Sequence, residues 1–184
     1  MKSNFYSLLF IVILSSSFSF SQSEIKAPKG YSNDIGNMVS MLDNLKRRVE
    51  RHVRNLDQEG TDFLLDENAN SPGAIIYHLA ATEAYYQVYT FEGRGFNEEE
   101  KEKWETALTL GEKARKEFKN KPINYYMDLY DKVRAKTKKL LKAKDDDWFK
   151  SKIGNMTMHW AWFHVMEHQA NHMGQLAMIT KRIK

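Results

Sequence analysis

The chain has 184 residues, which is enough for one domain with a hydrophobic core but not comfortably for two. Its composition, 42% hydrophobic and 28% charged, is that of a soluble globular protein, and a formal net charge of +4 is too small to indicate nucleic-acid binding by itself. The chain has no cysteine, which excludes disulfides, cysteine metal ligands and a cysteine nucleophile, so a metal site would need histidine, aspartate or glutamate.

The first 21 residues have the pattern of a secretory signal peptide. Lys2 precedes an apolar run over residues 5–14, which is far shorter than the roughly 20 residues of a membrane-spanning helix. Small residues flank a cleavage point after Ser21, so we expect an exported protein, periplasmic or secreted, with no stable membrane insertion after cleavage. An uncleaved anchor is the alternative. Residues 22–32 are expected to lead into one domain over residues 33–184.

Four amphipathic segments are predicted to form the long helices of this domain. Their apolar residues recur at intervals of three or four, as on one buried helix face, and no strand pattern of useful length occurs. His52 falls in the apolar stripe of the first segment, where we expect it at the edge of the core. The predicted helices cover about residues 33–56, 71–91, 123–144 and 157–182. The sequence therefore predicts an all-α four-helix bundle.

The connection between the second and third helices, residues 97–120, is rich in glutamate and lysine. We interpret it as a long surface segment, partly helical and broken near Gly111, which allows the third helix to run parallel to the second. The predicted outer face of the third helix is basic and includes Lys132, Arg134 and Lys136. We interpret that face as solvated, and no nucleic-acid partner is expected.

The last predicted helix carries four of the six histidines, and three of them, His164, His168 and His172, repeat every four residues. This spacing places the three rings along one stripe of the helix, where neighbouring imidazoles can bind the same metal ion, although such repeats also occur in ordinary cores. Two histidines rarely hold a metal alone. His78, the only histidine on the second helix, is the best candidate for a ligand from elsewhere, and Gln175 on the same stripe could hydrogen-bond a ligand or a bound water.

Two other metal-site patterns do not fit this chain. The order His164-Val165-Met166-Glu167-His168 matches that of inverted zinc peptidases, but too few residues follow His168 to supply the further acidic ligand. Ferritin-like di-metal bundles need Glu-x-x-His pairs, and no glutamate of this chain has a histidine three residues later. These classes are therefore not supported.

The stretch HVMEHQANHMGQ, residues 164–175, closely resembles the final helix of the DinB/YfiT-like superfamily, whose members typically end in a pattern like HxxxHxxxHxGQ. The stretch SPGAIIYHLAATE, residues 71–83, is similar to the segment that carries that family's first metal ligand. The resemblance covers about residues 33–182. It implies a four-helix bundle with a long connection between helices 2 and 3, often dimeric, with a divalent metal that is zinc or nickel.

Carried over to this chain, the resemblance implies metal ligands at His78, His168 and His172, with His164 as a neighbour rather than a ligand. Relatives that are understood are metal-dependent transferases or isomerases that use small thiols. We therefore expect an exported metal-dependent hydrolase or transferase that acts on a small molecule, and a non-catalytic metal- or ligand-binding bundle is the alternative. No catalytic residue is assigned; Glu83 is a candidate for proton transfer, and His164, Gln175 and Glu83 are candidates for supporting the ligands.

Overall fold

The computed structural model describes residues 24–183, so the predicted signal peptide lies outside the described residues. The long helices are α1 (Asn33–Val53), α3 (Pro72–Glu92), α6 (Ile123–Lys142) and α8 (Met158–Thr180). The connections contain α2 (Gln58–Asp62), α4 (Glu98–Thr109), α5 (Gly111–Glu117), α7 (Asp146–Lys150) and an antiparallel hairpin of β1 (Lys152–Ile153) and β2 (Met156–Thr157). Over residues 24–183, every helix is too short or too polar to be a candidate membrane span.

The four long helices form a bundle in which each helix packs against two neighbours. Helix α3 contacts α6 and α8, and α1 contacts the same two helices from the opposite side. The all-α four-helix prediction is confirmed. Helices α3 and α6 are joined by α4 and α5. The chain changes direction between α4 and α5 at Leu110 and Gly111, whose φ angles are 55° and 75°.

Helix α3 is mostly buried because α4, α6 and α8 pack around it. It starts where the Ser71 hydroxyl accepts a hydrogen bond from the backbone N–H of Ala74, and Pro72 occupies the first turn. It ends at Gly93, whose φ of 68° is the left-handed conformation that glycine adopts without a Cβ clash. Helix α8 starts in the same way, with the Thr157 hydroxyl accepting from the N–H of Trp160. These caps fix where α3 and α8, the two helices that carry the predicted metal ligands, begin.

Two side chains lie on different faces from those predicted. Arg134, expected on the solvated face of α6, is only 4% exposed, and His52, expected at the core edge, is exposed. At the end of α1 the buried stripe passes through Val53 instead of His52. Arg134 follows the buried Val133 and points inward, and its charge is balanced by a buried acid described below.

Candidate metal centre

Three imidazoles, from His78 on α3 and from His168 and His172 on α8, converge between these two helices. We call them the histidine cluster. The Nε2 atom of His168 lies 3.0 Å from Nε2 of His78 and 3.1 Å from Nε2 of His172. All three ligand atoms lie within 4.8 Å of one another, and among the described residues this is the one group of three or more potential ligands that could hold a metal ion. The structure thus brings together three of the histidines that the sequence singled out.

The outer nitrogens of two of these rings are held by hydrogen-bond acceptors. Nδ1 of His78 lies 2.8 Å from the carbonyl oxygen of Ala107 on α4, and Nδ1 of His172 lies 2.8 Å from Oε1 of Gln175. Because a carbonyl oxygen can only accept, the proton of each neutral ring sits on Nδ1. The Nε2 atoms therefore turn their lone pairs toward His168, which is the tautomer that a metal-binding imidazole needs.

The surroundings keep the cluster uncharged. Burial is the main factor that lowers the pKa of His78, and it also lowers the pKa of His172, together with repulsion from His78. The pKa of His168 falls to about 3, because of burial first and then repulsion from His172, His78 and His164. Neutral imidazole is the form that binds metal ions, so these rings are ready to act as ligands at neutral pH.

The donor set fits a divalent transition metal. Two imidazole nitrogens bound to one zinc ion at about 2.0–2.1 Å stand roughly 3.0–3.4 Å apart, and the two contacts of His168 Nε2 fall in that range. Without an ion, a single proton on His168 Nε2 can be donated to only one of the two lone pairs that face it. A cation would satisfy all three nitrogens at once. Imidazole ligands suit zinc and nickel, the metals expected from the sequence.

The other residues singled out by the sequence lie in different environments. His164 is outside the histidine cluster: its ring centroid lies 6.1 Å from that of His168, and its Nδ1 pairs with Glu167 Oε1 at 2.8 Å. Gln175 supports His172 directly. Glu83 is completely buried, and its two carboxylate oxygens accept hydrogen bonds from Arg134 and Thr137 rather than facing the cluster.

A buried polar network beside the histidine cluster was not predicted from the sequence. Arg134 forms a two-pronged ion pair with Glu83, with both N–O distances 2.8 Å, and also donates to Oε1 of Gln169, the residue after His168. Asp43 of α1 accepts a longer bond from Arg134, so the network joins all four long helices. Burial lowers the pKa of Arg134, but the Glu83 carboxylate outweighs that effect and raises it overall. The sequence did contain one indication of this ion pair: Glu83 lies within the apolar α3 segment, and a buried carboxylate needs a partner.

We expect Gln175→Ala to weaken metal binding by about 10–100-fold, because Gln175 orients the His172 ring and fixes its tautomer. The free energy of unfolding of the metal-free protein should change by no more than about 0.5 kcal/mol, since Gln175 is exposed. Competition titration with a chromogenic zinc chelator measures the affinity. Asn171→Ala, one turn earlier on the same exposed edge of α8, is the matched control. Equal zinc affinity in the two variants would contradict the supporting role of Gln175.

A four-helix bundle with a histidine cluster between its second and last long helices defines a protein of the DinB/YfiT-like type. The family model described as mycothiol-S-transferase matches residues 37–184, and the chain belongs to that family. No curated protein matches the chain.

Proposed function

We propose that this chain is an exported, metal-dependent transferase or hydrolase that acts on a small molecule. In this proposal one divalent ion is held by the Nε2 atoms of His78, His168 and His172. The observation that carries it is the convergence of these three atoms, with His78 and His172 fixed as Nδ1–H tautomers by Ala107 and Gln175. Membership of a family described as transferases supports catalysis rather than mere metal storage.

The favoured reaction is transfer to or from a thiol. The family description names mycothiol, and the chain itself has no cysteine, so a reacting sulfur atom would have to come from a bound substrate. A divalent ion held by the three imidazoles would lower the pKa of a thiol or water in its remaining positions. The nucleophile would form a bond to the second substrate and displace its leaving group, which would depart with the proton taken from the nucleophile. The reaction would be transfer with a thiol and hydrolysis with water.

In this proposal the protein residues orient the substrate and accept its proton. His164 stands beside the cluster, and Glu167 holds its Nδ1, which leaves Nε2 without a hydrogen-bond partner among residues 24–183. We assign to His164 Nε2 the role of accepting the proton that the nucleophile loses. The Glu83 carboxylate, considered from the sequence for this role, is engaged by Arg134 and Thr137 and is better suited to holding the bundle together.

The test begins with elemental analysis of protein purified from medium that contains zinc and nickel, and we expect about one metal ion per chain. Cobalt(II) is then exchanged into the site, and a small thiol such as 2-mercaptoethanol is added. A new near-ultraviolet thiolate-to-cobalt absorption band is expected if sulfur reaches the ion. Metal-free protein after purification and reconstitution would overturn the proposal, and metal binding without the thiol band would remove the thiol reaction and leave hydrolysis.

A non-catalytic binding bundle is the second candidate. The observation that favours it is that Glu83 and Glu167, the acids closest in sequence to the proposed ligands, are both already paired. A screen of thiol conjugates, esters and amides separates the two candidates. Turnover that requires the metal supports the transferase or hydrolase, whereas tight metal binding with no turnover of any class supports the bundle. Export is tested separately, by cell fractionation of the chain with and without residues 1–21.

A further inference from the structure

A row of aromatic rings extends from the histidine cluster along adjoining residues of α3 and α8. We call it the aromatic groove, and its members are Tyr85, Tyr86, Tyr89, Trp160 and His164. The His164 ring stacks on Trp160 with centroids 5.4 Å apart and an interplanar angle of 2°. Tyr86 reaches across from α3 to His164 at 5.7 Å, and Tyr85 stacks on Tyr89 at 6.0 Å. Aromatic contacts therefore run without interruption from the cluster to the start of α8.

The aromatic groove is open to solvent. Trp160 is 46% exposed, and the other members are half-buried rather than enclosed. A cavity of about 390 Å³ lies beside Trp160 and is lined by Asn155, Met156 and Thr157 of the hairpin. From His172 to Trp160 the groove follows twelve residues of α8, or roughly 18 Å at the rise of an α-helix. This length accommodates a molecule that has one end at the cluster and an apolar body along α8.

The aromatic groove differs from ordinary exposed apolar residues. Phe163, on another face of α8, is 40% exposed and has no aromatic neighbour within the described chain, so it represents the usual isolated surface residue. Trp160 and His164, in contrast, stack with parallel planes next to the proposed reactive centre. Aromatic faces arranged in this way bind other aromatic rings by offset-stacked and edge-to-face contacts.

The charge of the aromatic groove limits what it can bind. Glu167, which holds His164, is a charged side chain in contact with a groove member, and among the described residues no lysine or arginine lines the cavity beside Trp160. Burial, with the neighbouring Tyr85, Tyr89 and Glu167, raises the pKa of Tyr86, so its phenol remains neutral. With the Glu167 carboxylate beside His164 and no described lysine or arginine lining the cavity next to Trp160, an anionic ring is disfavoured there relative to a neutral one.

We propose that the aromatic groove binds a neutral aromatic ring of the substrate, while a sulfur or oxygen atom of the same substrate reaches the histidine cluster. This inference rests on the proposed function and adds a substrate class to it: a neutral arylalkyl compound. Trp160 and Tyr86 are the specificity residues, because both contact the His164 ring, which adjoins the cluster. The substrate ring packs on the exposed faces of these side chains, and the sulfur or oxygen atom of the substrate lies at the histidine cluster.

The test compares binding of three thiols to the zinc-loaded protein by isothermal titration calorimetry. The probes are 6-phenylhexane-1-thiol, 6-cyclohexylhexane-1-thiol and 4-(6-mercaptohexyl)benzoate, whose chains carry the ring past His164 to Trp160 and which differ in ring type and charge. We expect the phenyl compound to bind about tenfold tighter than each of the others. Trp160→Ala should abolish that preference, Trp160→Phe should restore most of it, and Phe163→Ala should leave it unchanged. Zinc content should be the same in all variants, since none removes a cluster histidine.

A second measurement separates failure of the groove from failure of the metal site. The indole N–H resonance of Trp160, identified by its loss in Trp160→Phe, is followed while 2-phenylethanol, which lacks the thiol, is added to metal-free protein. A saturable shift of this resonance supports the groove even if no metal is ever found. Equal binding of the three thiols at an intact zinc site, or no shift of Trp160 with 2-phenylethanol, overturns the groove while the metal proposal stands.

Discussion

Replacing Arg134 by methionine is expected to lower the free energy of unfolding by about 3–5 kcal/mol, because the Glu83 carboxylate, which has no exposed surface, loses its cationic partner. Methionine fills much of the arginine volume, so the loss reports the unpaired charge more than a cavity. Urea denaturation followed by circular dichroism measures the change, with the denaturant slope checked for two-state unfolding. A loss of this size is a large part of the stability of a typical domain.

Two further variants identify the cause of this loss. Lys136→Met, two residues later on α6, removes an exposed charge and is expected to change stability by less than about 0.5 kcal/mol. The double variant Glu83→Met/Arg134→Met removes both charges and should recover more than half of the loss, because apolar replacements of buried ion pairs are often neutral. If Arg134→Met behaved like Lys136→Met, the buried ion pair would not stabilise the bundle.

His168→Ala is expected to abolish metal binding, since Nε2 of His168 contacts the Nε2 atoms of both other ligands. Loss of a supporting hydrogen bond to a ligand costs roughly 10–100-fold in affinity, and loss of the ligand itself should cost more. Zinc at about 1,000 times its dissociation constant should stabilise the unaltered protein by about 4 kcal/mol, and this stabilisation should be absent in His168→Ala. Elemental analysis and thermal unfolding with and without zinc measure both effects.

The remaining histidines of α8 provide the controls for that experiment. His164→Ala should keep the metal, because His164 lies outside the histidine cluster, but should lower turnover if it accepts the proton. His159→Ala should retain both metal and turnover, since His159 is exposed and its ring stacks on Phe149. Retention of zinc by His168→Ala together with loss in His164→Ala would mean that the ligand set is misassigned.

The helices and the histidine stripe could be predicted because both depend on local spacing. A step of four residues places His168 and His172 on one helix face in any α-helix, and the caps at Ser71 and Thr157 are visible as short polar side chains before apolar runs. The approach of His78 also follows, once the second and last helices are taken as neighbours. The bundle and the histidine stripe were therefore accessible from local spacing, whereas the placement of His164 outside the ligand set came from the family resemblance.

The buried ion pair was not accessible in the same way. Arg134 lies in a run of lysines, and the periodicity of α6 does not distinguish a charge at the edge of the buried face from a solvated one. Its partner Glu83 lies 51 positions away, so the pairing depends on the relative register of α3 and α6. Composition carries no information about that register, which is set by side-chain packing across the bundle.

The support of His78 by the Ala107 carbonyl makes the connection α4 part of the proposed site. A main-chain oxygen is present whatever residue occupies position 107, so no comparison of side chains among relatives would reveal this contact. Any change that shifts the path of α4 by an ångström alters it. Grafting experiments that exchange only the histidine-bearing helices should therefore transfer the ligands without transferring their affinity, because the orientation of one ring is encoded in the course of the backbone.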